Sequence, residues 1–537
     1  MLPRISLKAI FALLLFFSLL TDDSGAQSRK PVNQSSVEQL LAEAVAAFEN
    51  SDSTKTKNIL QRILKTAPNN TAAHTLLAAV ADRENNLQTA EKHFALAVRY
   101  APNSPEARNN YGVILLRLNQ NAEAAKEFSA SLKINPNQLS ALVNLAQIRF
   151  GENDLTTARQ LFEKAKIIQP DAEILRALVI IALRLNERER AAKDFQEYAL
   201  AAKNAVVKTA ARAELGTILL EKGLIKEATQ ELETAFSIDS SDVDLIIQLG
   251  QAYALQNDIK SAGKLLESAI ARGLDNAKIY AGLADVYEAG GFHENAIPAM
   301  RLAIEKDPKN ENYRFRYGML LVNLKAPAAA VIRLKEAVEY FPQSAQLWLG
   351  LGIAYFNDSK SSEAKAALEK SLVLEPKSVP AMVYLANTFV EAARYDEAAG
   401  IYERAIATSG GKEAGLHFLL ADTLLNITTA DSKRIESLLK RAIELDAKLA
   451  AAYPALGTLY IRQGQWNQAA AMLETAIQLQ PENTKALYQL GQVYARLKRA
   501  EDSRTVLEKF KQLSKAEKEK KEVEREKLVK RLANVRF

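Results

Sequence analysis

The sequence contains no cysteine. That excludes disulfides, a thiol nucleophile, a Cys-ligated zinc and a lipid-modified N-terminal cysteine. An exported chain of this kind has only packing to stabilise it. Aromatic residues are few, at 7%, with two tryptophans. With the alanine-rich runs, this scarcity favours helix over strand. The apolar run from Ala9 to Leu20 has 12 residues, and a membrane-spanning helix needs roughly 20. A large excess of one charge is also missing, since the formal net charge is +6 over 537 residues.

What is present sets the scale. A chain of 537 residues is too long for one ordinary hydrophobic core. It is either several domains or an array of units that pack only on their neighbours. Its 48% hydrophobic and 25% charged residues argue against wholesale disorder.

Residues 1–26 read as a signal peptide. Arg4 and Lys8 give a positive start, and the short apolar run follows. Ser24-Gly25-Ala26 then places small residues for cleavage before Gln27. The alternative is an uncleaved anchor. Residues 27–36 read as a polar linker. The expected location is exported, periplasmic or extracellular.

A repeat dominates the remainder. Prolines stand at 68, 102, 136 and 170, and again at 308, 342 and 376, each 34 residues from the last. Tyr453, Leu456, Gly457 and Tyr460 recur in frame as Leu487, Leu490, Gly491 and Tyr494. Upstream, the frame reappears as Trp348, Leu351, Gly352, Tyr355, Ala364, Leu368 and Pro376. Tyr453, Leu456, Gly457 and Tyr460 fall on one face of a helix. Ala469, Leu473 and Ala476 make the facing stripe of a second helix. Gly457 permits close approach, and Pro481 ends the unit. The turns inside the units are placed at "QGQWN" and "NDSKS". Two gaps break the period. Pro170 to Pro308 is four periods plus two, with the slack near 202–210. Pro376 to Pro481 is three periods plus three, with the slack near 426–433.

This pattern resembles the tetratricopeptide repeat family. Phe94, Phe128 and Phe162 keep that family's usual aromatic, where Leu473 departs from it. The resemblance implies an all-α fold, a right-handed α-solenoid of about fourteen helix-turn-helix units of 34 residues. An N-terminal array over 37–208, a C-terminal array over 209–517 and a charged C-terminal helix over 518–537 follow from the spacing. In that tail, Glu517–Lys521 and Glu526–Lys530 form i,i+4 pairs. Leu528, Leu532 and Val535 are placed to rest on the last repeat. The tail reads first as a solvating cap, with attraction to an anionic surface as the alternative.

Catalytic, metal and cofactor sites are not expected. His74, His93, His293 and His417 are read as lying in different repeats, without ligand-spaced partners. His74 and His417 fill the bulky slot of their first helices. The segment "SGGKEAG" (409–415) lacks the spacing of a phosphate loop and reads as a turn. Residues 515–537 hold nine Lys/Arg and five Asp/Glu, so they supply +4 of the net charge. The array is close to neutral and offers no footprint for nucleic acid.

Binding is then the expected function. One stripe on each first helix faces the inner side of a stack. It reads Phe315, Met319, Val322; Leu349, Ile353, Phe356; Val383, Asn387, Val390; and Phe418, Asp422, Leu425. Elsewhere it is mixed, as at Asn109, Val113 and Leu116. The Lys/Asn set with which some relatives clamp a carboxylate is not found. A partner-binding groove is therefore expected at Phe315, Met319, Leu349, Ile353, Phe356, Val383, Asn387 and Phe418, with packing between repeats as the competing role. The expected function is an exported, non-enzymatic scaffold for protein or peptide partners in an envelope assembly or secretion complex. The alternative is a regulatory or substrate-presenting subunit of an envelope enzyme handling glycans or cell wall.

Overall fold

A computed structural model describes residues 34–203 and 205–534, with side chains from Ser36 to Val523 and at Glu526. The signal and most of the linker lie outside these residues, as does Val535 of the tail, and the side chains of Leu528 and Leu532 lie outside the described ones.

Twenty-eight helices and no strand occupy the described residues. They form fourteen helix pairs, the first Gln34–Glu49 with Ser53–Thr66 and the last Thr484–Arg496 with Ala500–Asn534. The fold is an all-α solenoid of helical repeats. Within each pair the two helices pack on each other, and within each unit most helices also pack on the helix of the adjoining pair. Many first helices also pack on the first helix of the next pair, as Glu311–Asn323 does on Ala345–Asn357. First helices therefore crowd toward one side, and the face between them is the inner one.

Local chemistry fixes the ends of the helices. Asn70, Ser104 and Asp154 cap first turns by accepting backbone N–H groups of Ala73, Ala107 and Thr157 at 2.9–3.1 Å. The turn inside every pair but the twelfth holds one left-handed residue. Asn85, Asn119 and Asn153 take it at φ 60–63°, and Ser359 and Gly464 take it in the turns placed from the sequence. Asn tolerates this region because its short side chain bonds locally. The residue after it closes the helix, as when Asn86 N donates to Ala81 O at 2.8 Å.

Packing follows the 34-residue frame. A Cβ added at Gly112 would lie 2.7 Å from the Phe128 ring, and one at Gly352 would lie 2.5 Å from Leu368 Cγ. The small slot exists because the second helix drives a large side chain into it. Phe128, Phe162, Leu368 and Leu473 are all essentially inaccessible.

In several repeats the bulky slot carries a hydrogen bond as well as volume. Six residues before it lies the carbonyl of the residue just past the C-cap of the previous helix. His74 Nε2 donates to Pro68 O at 3.0 Å, and Trp348 Nε1 to Pro342 O at 2.9 Å. Arg108 Nε donates to Pro102 O at 2.8 Å, and Tyr453 Oη to Ala447 O at 2.8 Å. His74, Arg108, Trp348 and Tyr453 share this role because each carries a donor on a long body; Leu142, Met382 and Leu487 fill the slot with volume alone.

The chain divides into two compact units, one ending at Leu274 and one beginning at Asp275. Each holds seven helix pairs. The first slack is the 203–208 connection, inside the first unit. The second is the 425–431 turn inside the twelfth pair. The charged tail is not a separate helix. It continues the last second helix to Asn534, and Lys521 Nζ donates to Glu517 at 3.0 Å.

Candidate functional site

The inner wall of the second unit carries the expected ladder. Phe315 and Met319 stand on Glu311–Asn323, half-buried, against a core of Ala330, Leu334, Leu347 and Leu351. The Phe315 ring also reaches the next first helix, where a Cβ at Gly350 would lie 2.9 Å away. Leu349 and Phe418 are half-buried on the core that runs from Leu368 to Tyr494. Phe356 presents its ring to Tyr384 edge-on, with centroids 5.9 Å apart. Val383 rests on Met382, Ala405 and Leu416. Asn387 is half-buried, and its Oδ1 accepts the Tyr402 hydroxyl.

Ile353 departs from the ladder. It is only 8% exposed and belongs to the packing between helices. It sits one turn below Phe356 on a helix flanked by first helices on both sides, so its neighbours close over it. The other seven residues keep accessible surface. They form a wall made partly of repeat packing and partly of solvent-accessible surface.

Asp422 occupies the position on Ala414–Leu424 that Asn387, Ile353 and Met319 hold on earlier first helices. It is solvent-accessible, yet loss of water raises its carboxyl above the usual carboxylate range. Lys485 pulls it back only in part.

The histidines correct the sequence reading. His74 and His93 lie in one repeat, their rings stack at 5.3 Å, and their Nδ1 atoms are 3.0 Å apart. Positions 19 apart meet across a helix pair, and Arg108–Glu127 and Arg212–Glu231 use the same offset. That offset was the available signal. The Pro68 carbonyl can only accept, so His74 Nε2 carries its proton. His74 Nδ1 then accepts, and His93 Nδ1 donates.

Burial, the His74 charge and Lys92 lower the His93 pKa. A folded pKa below the unfolded one means that the unfolded chain binds the proton more readily. This contribution to stability is full above about pH 6.5 and is lost as pH falls through the lowered folded value. The melting temperature should therefore fall between about pH 7.5 and about pH 5, and His93→Gln should reduce that fall. An unchanged pH dependence in the variant would remove the pair from the account.

Among the described residues no group of three His, Cys, Asp or Glu is placed to hold a metal. No helix there is long and apolar enough to cross a membrane.

A tetratricopeptide repeat family profile matches residues 41–105, 80–139, 112–173, 317–379, 354–413 and 455–517, and a second profile of that description matches 219–286. The TPR repeat-containing protein YpiA of Bacillus subtilis is 23% identical over 202 residues, covering 37% of this chain and 48% of its own. The chain thus spans about half the length of that relative. The type IV pilus assembly protein PilF of Pseudomonas aeruginosa is 27% identical over 173 residues, 32% of this chain and 68% of its own. Among solved structures, the APC/C hetero-tetramer Cut9-Hcn1 aligns at a TM-score of 0.39 and 12% identity, over 85% of this chain and 96% of that one.

Proposed function

Because the chain belongs to the tetratricopeptide repeat family, we propose that it is an exported, non-enzymatic scaffold holding protein or peptide partners against its inner wall. The observation that carries this reading is the row of half-buried apolar side chains at Phe315, Leu349, Phe356 and Phe418. A folded repeat leaves such surface accessible on one side, and large apolar anchors dominate binding when a partner desolvates them. The envelope setting is drawn from residues 1–26. It is supported by likeness to a relative named for type IV pilus assembly.

Affinity purification from fractionated cells, with mass spectrometry, tests this reading. The unaltered protein should recover a defined envelope partner. Phe315→Ala combined with Phe356→Ala should lose that partner by tenfold or more, the effect of about 1.4 kcal/mol, while remaining folded. Equal recovery by both proteins rejects the groove. Recovery confined to cytoplasmic partners rejects the exported setting.

A further inference from the structure

The inner wall of the second unit is apolar over three repeats except at Asn387, and then presents one carboxylate. Asp422 follows Phe418 by one turn, with Leu425 beyond it and Val383 and Val390 on the preceding first helix. Among the described residues the Asp422 carboxylate has neither a hydrogen-bond donor nor an ion-pair partner. The Asn426 amide donates to the Asp422 backbone carbonyl instead, at 2.9 Å. Lys485 is felt only from beyond ion-pair distance.

The hydroxyl that would most naturally satisfy this carboxylate points elsewhere. Tyr402 is 1% exposed, and its hydroxyl donates to Asn387 Oδ1. That bond uses the Asn387 oxygen, and among the described residues its Nδ2 donors have no partner on this wall. The result is a solvent-exposed carboxylate without an ion-pair partner beside apolar side chains, and its surroundings raise its carboxyl above the usual range. A cation seated there would supply the charge-assisted hydrogen bond that the carboxylate lacks.

We propose that this stretch of wall selects a peptide segment in which one lysine or arginine side chain lies between apolar residues. The cation meets Asp422, and the flanking apolar side chains meet Phe418, Val383 and Phe356. This deepens the scaffold reading and rests on it. Charge complementarity commits the site to a cationic peptide, because an acidic or C-terminal carboxylate would face Asp422 with like charge.

Three fluorescein-labelled, C-terminally amidated peptides test it, of sequence Gly-Ser-Leu-Val-Xaa-Val-Leu-Ser-Gly with Xaa as Lys, Leu or Glu. Fluorescence anisotropy would be read with the full chain, with Asp422→Asn and with Phe418→Ala. The Lys peptide is expected to bind at least about tenfold more tightly than the Glu peptide. Asp422→Asn should erase that preference, keep the Leu peptide and leave the melting temperature unchanged or slightly raised. A purely structural carboxylate would lower it.

Equal binding of the Lys and Glu peptides, with both lost in Phe418→Ala, overturns the charge proposal and leaves the groove standing. Persistence of the preference in Asp422→Asn overturns it too. No binding of any peptide up to about 1 mM overturns both the proposal and the groove. Self-association of the full chain that Asp422→Asn abolishes would assign the wall to a second copy instead.

Discussion

Replacing Glu231 with alanine is expected to destabilise the first unit by about 3–5 kcal/mol. Glu231 is 1% exposed and Arg212 6%. Arg212 Nη1 donates to Glu231 Oε2 at 3.0 Å, and Arg212 Nη2 donates to the Ala202 carbonyl at 3.0 Å. The Tyr198 hydroxyl donates to the same Glu231 oxygen at 2.8 Å. The network ties the helix ending at Ala202 to both helices that follow the 203–208 connection. It bridges the place where the period slips.

Burial pushes the Glu231 carboxyl above its usual range despite Tyr198, Arg212 and Arg176, which all pull it down. Desolvation outweighs the attraction, so the pair is a weak source of net stability. Removing one member is nonetheless severe, because a buried guanidinium is left without its counter-charge. Arg212→Leu with Glu231→Leu should therefore recover most of the loss. Urea unfolding, with hydrogen exchange over 188–238, reads this directly. Exchange localises the effect in a solenoid whose repeats need not unfold together. A Glu231→Ala protein within about 1 kcal/mol of the parent would show that water reaches the network.

Phe162→Ala should lower stability by about 3–5 kcal/mol, and Leu368→Ala by about 2–5 kcal/mol. Phe162 is 1% exposed and Leu368 0%. Each is the large residue driven between the helices of its own repeat, so truncation leaves a cavity that the rigid helix pair cannot close. Phe356→Ala should cost much less. Its ring is half-exposed, and the edge contact to Tyr384 is worth about 0.5–1.5 kcal/mol. Melting temperatures of the three variants, measured side by side, separate core from wall. If Phe356→Ala melts as early as Leu368→Ala, which lies in the same unit, the wall is core. The partner surface must then be sought at the charged repeats or in the tail.

The repeat was legible because its causes are local. Prolines set 34 residues apart stop helices, a small residue faces a large one, and in most pairs an Asn, Gly or Ser turns the chain. Each acts within one helix pair, so spacing alone recovers the fourteen pairs and both points of slack. The donor role of the bulky slot was less legible. His, Arg, Trp and Tyr look alike as bulk, and their common partner is a backbone carbonyl that no side-chain pattern displays.

The sequence by itself determined the helix pairs, their period and the frame that packs them, since those follow from contacts between residues in one unit. Only the tertiary structure decided which wall positions stay open. Ile353 and Phe356 belong to the same stripe, yet one is buried and the other is not. The difference is made by what adjacent repeats place beside them. The same holds for the wall's polar groups. Tyr402 spends its hydroxyl on Asn387 and leaves Asp422 alone, because burial and hydrogen-bond choice depend on neighbours from other repeats in three dimensions.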